Sequence, residues 1–230
     1  MSTNSTADIA LAREWVRERG GELSPALFFL SPLRFEWCER TADSLSLTLS
    51  GEQCFGLGFG PHPPVNTSWT ECSIDASRFG GRLGQLEAQG RWDFYATETA
   101  GVNGGGVLVV HDDDFIGDFL TEHAPHSQVW PGNQEIVNWF GVRDGAEWAS
   151  IGALVRWESG LHVLASVATR GDLRGRGFAA ALVGGIVNET WRRSVSILGL
   201  GVEHENLAAQ RTYERVGFTV LANFTSYALP

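Results

Sequence analysis

The sequence predicts an α/β (α+β) fold, a mixed and mostly antiparallel sheet flanked by helices. Three observations carry that expectation. Residues 161–182, LHVLASVATRGDLRGRGFAAAL, read as a strand, a glycine-rich turn and a helix. The strand-like runs 136–142, 148–157 and 161–169 are separated by Asp144-Gly145 and Ser159-Gly160, turn pairs that suit antiparallel hairpins. Asn206 opens and Gly217 closes an amphipathic segment lying between two further strand-like runs.

At 230 residues the chain has room for one large domain or two small ones. It is 43% hydrophobic with nine Trp and thirteen Phe, enough for a sizeable core. A net charge of −10 argues against nucleic-acid binding, which needs a basic footprint, and is compatible with a cationic substrate. Cys38, Cys54 and Cys72 are odd in number and show no CxxC spacing, which predicts reduced thiols in a cytoplasmic protein rather than a metal site. No basic start with a long apolar run marks a signal peptide, and no apolar stretch reaches the length of a membrane span.

Taken in order, residues 6–19 predict a short amphipathic helix capped by Asp8 and ended by Gly20-Gly21. Residues 26–37 are apolar and aromatic but interrupted by Pro32. Leu45, Leu47 and Leu49 alternate with Ser46 and Thr48, the pattern of a half-buried strand, and 54–59 predicts a second strand. The segment 60–70, GPHPPVNTSWT, is a loop. Leu83, Leu86 and Ala88 hint at a short helix, and 92–97 at a strand. A domain boundary falls near 98–106, giving an N-terminal α/β domain over 1–100 and a second domain over 102–230. Beyond it, 107–110 is strand-like. Asp112-Asp113-Asp114 then precede Phe115, Ile116, Phe119 and Leu120 at helical spacing, so these carboxylates read as a helix N-terminus; no ligand spacing supports a metal.

Phe178, Ala181, Leu182, Gly185 and Ile186 continue the pattern as a helix that packs one face on the sheet. Residues 196–202 predict a strand, Ala209, Tyr213 and Val216 the buried side of the next helix, and 218–227 one or two final strands. The chemistry concentrates at the glycine-rich turn. A strand–turn–helix unit aims backbone N–H groups and the positive end of a helix dipole at an anion. Gly175 and Gly177 allow close backbone approach, and the neighbouring arginines suit phosphate.

Two ordered motifs in this frame resemble the GNAT superfamily of N-acetyltransferases. Its Q/R-x-x-G-x-G/A signature is matched at Arg174, Gly175, Arg176, Gly177, Phe178 and Ala179; its Asn-initiated helix ending in Tyr and then Gly-Phe is matched by 206–218, NLAAQRTYERVGF. The resemblance covers about 102–230 and implies a GNAT-like sheet. The helix-then-strands order of residues 1–100 leaves two readings open, a degenerate second GNAT-like domain or an unrelated extension, because no aligned internal repeat is visible.

The resemblance implies acetyl-CoA as cosubstrate, its pyrophosphate on the backbone of Arg174–Ala179 and its pantetheine along Val167, Ala168 and Thr169. Asn206 caps its helix and is placed to touch CoA, and Tyr213 matches the position whose hydroxyl lies near the thioester sulfur. His204 and Glu203, after the strand beside the thioester, are the candidates for a base. The expected activity is acetyl transfer to a primary amine of a small molecule or protein, with no metal, by a monomer or homodimer. The alternative is a CoA-binding module without turnover.

Overall fold

The computed structural model describes residues 4–21, 24–51, 54–75, 87–98 and 105–229. In chain order its elements are β1 (Asn4–Thr6), α1 (Ile9–Gly20), α2 (Pro25–Phe29), β2 (Phe35–Arg40), β3 (Leu45–Leu49), β4 (Phe55–Phe59), β5 (Glu71–Asp75) and β6 (Ala88–Glu98). There follow β7 (Leu108–Val110), α3 (Asp113–His123), β8 (Ile136–Asp144), β9 (Glu147–Arg156), β10 (His162–Thr169), α4 (Phe178–Arg192), β11 (Ile197–Glu203), α5 (Leu207–Arg215) and β12 (Thr219–Ala228).

Local chemistry sets the helix ends as the sequence predicts. The Asp8 carboxylate accepts from the Ala10 and Leu11 N–H groups at the start of α1. Asp112 does the same for Phe115 at the start of α3. The Asn206 side chain accepts from Ala209 N–H in α5. The three predicted strands 136–142, 148–157 and 161–169 are β8, β9 and β10, paired antiparallel.

Several elements differ from expectation. Residues 26–37 split into α2, with Pro25 in its first turn, and the start of β2. The strands β1 and β5 carry too little pattern to be read in advance. Strand β3 is buried at all five positions rather than on one face. Its polar side is covered by the 60–70 loop, whose Trp69 indole N–H donates to Thr48 Oγ1 at 2.8 Å. Ala88 begins β6 rather than ending a helix, and 218–227 forms a single strand. Leu83, Leu86 and most of the predicted boundary, 99–104, lie outside the described residues.

All strands join one twelve-stranded sheet in the order β1-β2-β3-β4-β5-β12-β6-β11-β10-β9-β8-β7. Only β4–β5 and β10–β11 run parallel among its pairings. Strand β6, from the first hundred residues, lies between β11 and β12 from the last. Strand β12 in turn reaches back to pair with β5. The sheet therefore runs unbroken across the predicted boundary, each half holding the other's final strand.

Helices α1, α2 and α3 cover one face, over Phe94, Ala96, Ile151, Ala153, Val163 and Phe224. Helices α4 and α5 cover the opposite face of the second half, over Tyr95, Leu154, Leu164, Leu198, Leu200 and Val202. Polar ties cross between the halves on the first face. Arg13 in α1 donates to the carbonyl oxygens of Leu30 and Ser159, and Ser31 Oγ donates to Glu158. Among the described residues no helix is long and apolar enough to cross a membrane.

Candidate active site

Strands β10 and β11 begin side by side, with His162 opposite Leu198 and Val163 opposite Gly199. Beyond that they part. A register shift between Ala165 and Ala168 bends β10, with Ser166 at a φ of 50°. Ser166 Oγ holds the kink by donating to the Val129 carbonyl at 2.7 Å and accepting from its N–H at 3.2 Å. The far edge of β10 stays fixed to β9, where Ser150 Oγ donates to Ala168 O at 2.7 Å and pairs with Thr169 Oγ1 at 2.9 Å. The edge of residues 164–169 that faces β11 has no strand partner, so the predicted run Val167, Ala168 and Thr169 borders an opening.

At the end of that edge the chain turns into α4. Gly175 and Gly177 have φ of 77° and 89°, and a Cβ at either would meet nothing within 4 Å. The left-handed backbone accounts for glycine there, and the space beside each is open. Gly177 is the N-cap and offers no side-chain acceptor, so the first N–H groups of α4, from Phe178 and Ala179 onward, have no capping partner. A fifteen-residue helix thus points an uncapped, positive end outward.

The arginines around the turn are tied to protein. Arg170 grips Asp172 through Nε and Nη2 at 3.1 and 2.8 Å, and Nη1 meets Glu147. Arg174 donates to the His123 and Thr169 carbonyls at 2.9 and 3.4 Å. Arg176 is more open than Arg170, with its side chain 54% exposed, 3.3 Å from Asp144 and above the Phe178 ring. All seventeen lysine-or-arginine positions are arginine, so no lysine can serve as a base or carry an acyl group.

Tyr213 lies on the inner face of α5, 8% exposed, its ring 6.0 Å from Phe218. Burial pushes its phenol up to about 12, so it stays protonated throughout the neutral range. Among the described residues no group hydrogen-bonds its hydroxyl. Glu203 is the last residue of β11 and exposed.

His204, in the turn that follows, meets a residue the sequence reading did not pick out. Its Nδ1 is 2.9 Å from Oδ2 of Asp93, a β6 carboxylate whose side chain is 3% exposed. The same Oδ2 accepts from Gln210 Nε2 of α5 at 3.1 Å, and Oδ1 accepts from Asn223 Nδ2 of β12 at 2.6 Å. The available signal was a lone acid inside an aromatic strand, Trp92-Asp93-Phe94-Tyr95, a position that burial makes costly unless the charge is partnered. Tyr213 and Val167 belong to one apolar cluster with the inner face of α4, and His204 directly follows the end of β11.

Two hollows lie away from this opening. One of about 190 Å³ sits beneath α1 beside Asp75, and one of about 560 Å³ lies between α3, Trp148 and Arg170. Neither is lined by Tyr213 or the first turn of α4. No group of three or more His, Cys, Asp or Glu among the described residues is arranged to hold a metal ion.

No curated protein matches the sequence. Solved structures do match the fold. A GCN5-related N-acetyltransferase from Sphaerobacter thermophilus is 15% identical with a TM-score of 0.59, over 98% of this chain and 94% of that one. One from Kribbella flavida is 14% identical with a TM-score of 0.57, over 97% and 95%. A GNAT-family acetyltransferase from Colwellia psychrerythraea is 9% identical with a TM-score of 0.57, over the whole of both chains. At these identities the likeness is one of fold, and it spans both halves. In sequence, the family model described as Acetyltransferase (GNAT) family matches residues 106–218, both motifs included. Residues 106–218 thus carry the sequence pattern of a GNAT-family acetyltransferase domain.

Proposed function

We propose that the protein is an acetyl-CoA-dependent N-acetyltransferase that moves the acetyl group directly onto a primary amine. The observation that carries this is the parting of β10 from β11 beside an uncapped helix N-terminus. The backbone N–H groups of residues 174–179 suit a pyrophosphate, since α4 lacks a side-chain cap and both glycines face open space. Arg176 is the arginine with the weakest hold on protein and the readiest to add charge. The free edge of Val167, Ala168 and Thr169 suits the amides of a pantetheine arm, which would bond there as a neighbouring strand does. Asn206, which caps α5 through Oδ1, keeps its amide nitrogen for a contact with CoA.

Acetyl transfer needs a neutral amine and stabilisation of the departing thiolate. The unpartnered Tyr213 hydroxyl supplies a hydrogen-bond donor for that sulfur. A phenol near 12 is a weaker acid than an ordinary thiol, by about 5 kcal/mol of proton-transfer free energy. Tyr213 therefore acts first by hydrogen-bonding the developing charge, and its proton follows as the C–S bond breaks. Glu203 and His204 are the ionisable groups nearest the end of β11 that could accept the amine's proton. We read residues 1–100 as a degenerate GNAT-like domain, because β4–β5 and β12 repeat the parallel pair and third strand formed by β10–β11 and β6.

The test is thiol release. Purified protein is incubated with acetyl-CoA and a panel of small amines and N-terminal peptides, and free CoA is titrated. Release that depends on the amine supports the reading. Binding of acetyl-CoA with no release across the panel would leave a CoA-binding module in its place.

A further inference from the structure

The carboxylate of Asp93 has three hydrogen-bond partners. Its Oδ1 accepts from Asn223, and its Oδ2 accepts from both Gln210 and the His204 ring. An ionised carboxylate only accepts hydrogen bonds, so His204 Nδ1 must carry a hydrogen. In a neutral imidazole that places the lone pair on Nε2. No described residue bonds Nε2, and the ring is 36% exposed. The imidazole is therefore held in one tautomer with its basic nitrogen outward.

Its place in the fold gives that nitrogen a use. His204 directly follows β11, one wall of the opening, and its N–H donates to the Arg91 carbonyl of β6 at 3.0 Å. Its own carbonyl accepts from Gln210 Nε2 at 2.7 Å. Gln210 lies three residues before Tyr213 on α5, so the two share a helix face, and side chains on a helix lean toward its N-terminus. Tyr213 thus leans toward the turn that carries His204. The charged group that the ring touches is Asp93 on β6, and Glu203 and Glu205 flank His204 in the chain; from α5 and β12 the neutral amides of Gln210 and Asn223 bond the same carboxylate.

We infer that Asp93, supplied by the first half of the chain, is a positioning residue that fixes His204 as the base of the acetyl transfer. In that step the amine nitrogen bonds to the thioester carbonyl carbon and the C–S bond breaks. His204 Nε2 takes the amine's proton, directly or through one water, and the thiolate takes a proton from the Tyr213 hydroxyl, which solvent restores. The inference rests on the acetyl-transfer reading for the reaction, and on the hydrogen-bond geometry alone for the tautomer.

The experiment has two arms. Nitrogen-15 NMR of the histidine rings in the wild-type protein reads the tautomer without turnover, with His204→Gln assigning the signal. The Nδ1–H form is expected, and the Nε2–H form would overturn the inference. Steady-state kinetics with the best amine of the panel then compare wild type, His204→Gln, Asp93→Asn and the double variant across pH 5–9. An Asn can donate to Nδ1 and so favour the wrong tautomer, which in a comparable dyad costs several powers of ten. Here kcat should fall by about 10²-fold or more in each single variant, the acidic limb of the profile should vanish, and the KM for acetyl-CoA should hold. The double variant should be no worse than either single one, because the two act as a unit. An unchanged acidic limb in His204→Gln, or losses that multiply in the double variant, would overturn it. Should Asp93→Asn not fold, the wild-type tautomer and His204→Gln decide. A wild-type protein that releases no thiol defeats the reaction, while the NMR arm still tests the positioning.

Discussion

The two halves contain the same parallel pair and treat it in opposite ways. In the first, β4 and β5 stay zipped from Phe55–Glu71 to Gly58–Ile74. In the second, β10 and β11 pair at two positions and then part. The crossing connections differ to match. Between β4 and β5 it is the 60–70 loop, which lays the Trp69 ring on Gly56 so closely that a Cβ there would lie 2.0 Å from it. Pro63 and the Ile74 side chain crowd Gly58 likewise. Between β10 and β11 it is a glycine turn and a long helix, and the kink at Ser166 turns β10 away. The opening is thus a product of one bulge and one connection, not of the strand order. Where the connection is a loop with an indole, the space is core.

If that comparison holds, the largest single loss of stability comes from the filled side. Trp69→Ala should cost about 3–5 kcal/mol in urea unfolding, as for other buried aromatic deletions, while the KM for acetyl-CoA stays as it was. A KM that rises with the stability loss would mean the two halves share the ligand.

On the open side, Gly177→Glu puts a side chain on left-handed backbone and an anion where an anion should bind. Calorimetry should show one acetyl-CoA per wild-type chain, and affinity reduced by at least about 10²-fold in a folded variant, since helix-end anion contacts are lost and like charge is added. Two molecules per chain would end the contrast outright, and unchanged affinity would move the site.

Tyr213→Phe removes one hydroxyl and little volume. Expected is a fall in kcat of about 10²-fold with acetyl-CoA affinity unaltered, the scale for one donor aimed at developing charge. A kcat within about twofold would leave Tyr213 as packing. The same substitution has a pH signature. Because burial raises the folded phenol from 10 to about 12, its contribution is whole below pH 10 and lost as pH climbs to about 12. That is about 2–3 kcal/mol, so Tyr213→Phe should unfold less readily than wild type between pH 10 and 12.

Much of the second half was legible because its signals are local. The caps Asp112 and Asn206, the turns Asp144-Gly145 and Ser159-Gly160, and the glycine pair at 175 and 177 each dictate backbone within a few residues. Strand β6 was legible as a strand, yet nothing in Trp92–Thr97 says that its neighbours lie more than a hundred residues onward. Alternation tells which face is apolar and is silent about partners. For the same reason His204 could be named from its place after a strand, whereas Asp93, which fixes its ring, could not. The Leu45–Leu49 alternation misled because a loop, read as solvent-exposed, covers the polar face.

The exchange of β6 and β12 also governs how the molecule can come to exist. Strand β12 is held by β5 and β6, and β11 is held by β6, so the sheet closes only when the final strand finds partners 123 to 157 residues earlier. Contacts that distant are slow to form, because loop-closure entropy must be met before any pairing rewards it. Until then β5 and β6 each present a bare edge, the surface on which β-proteins aggregate. Synthesis from the N-terminus therefore produces helix α4 and its glycine turn well before the sheet that supports them is whole. The protein reaches competence late and in one step, with recruitment of its last ten-residue strand.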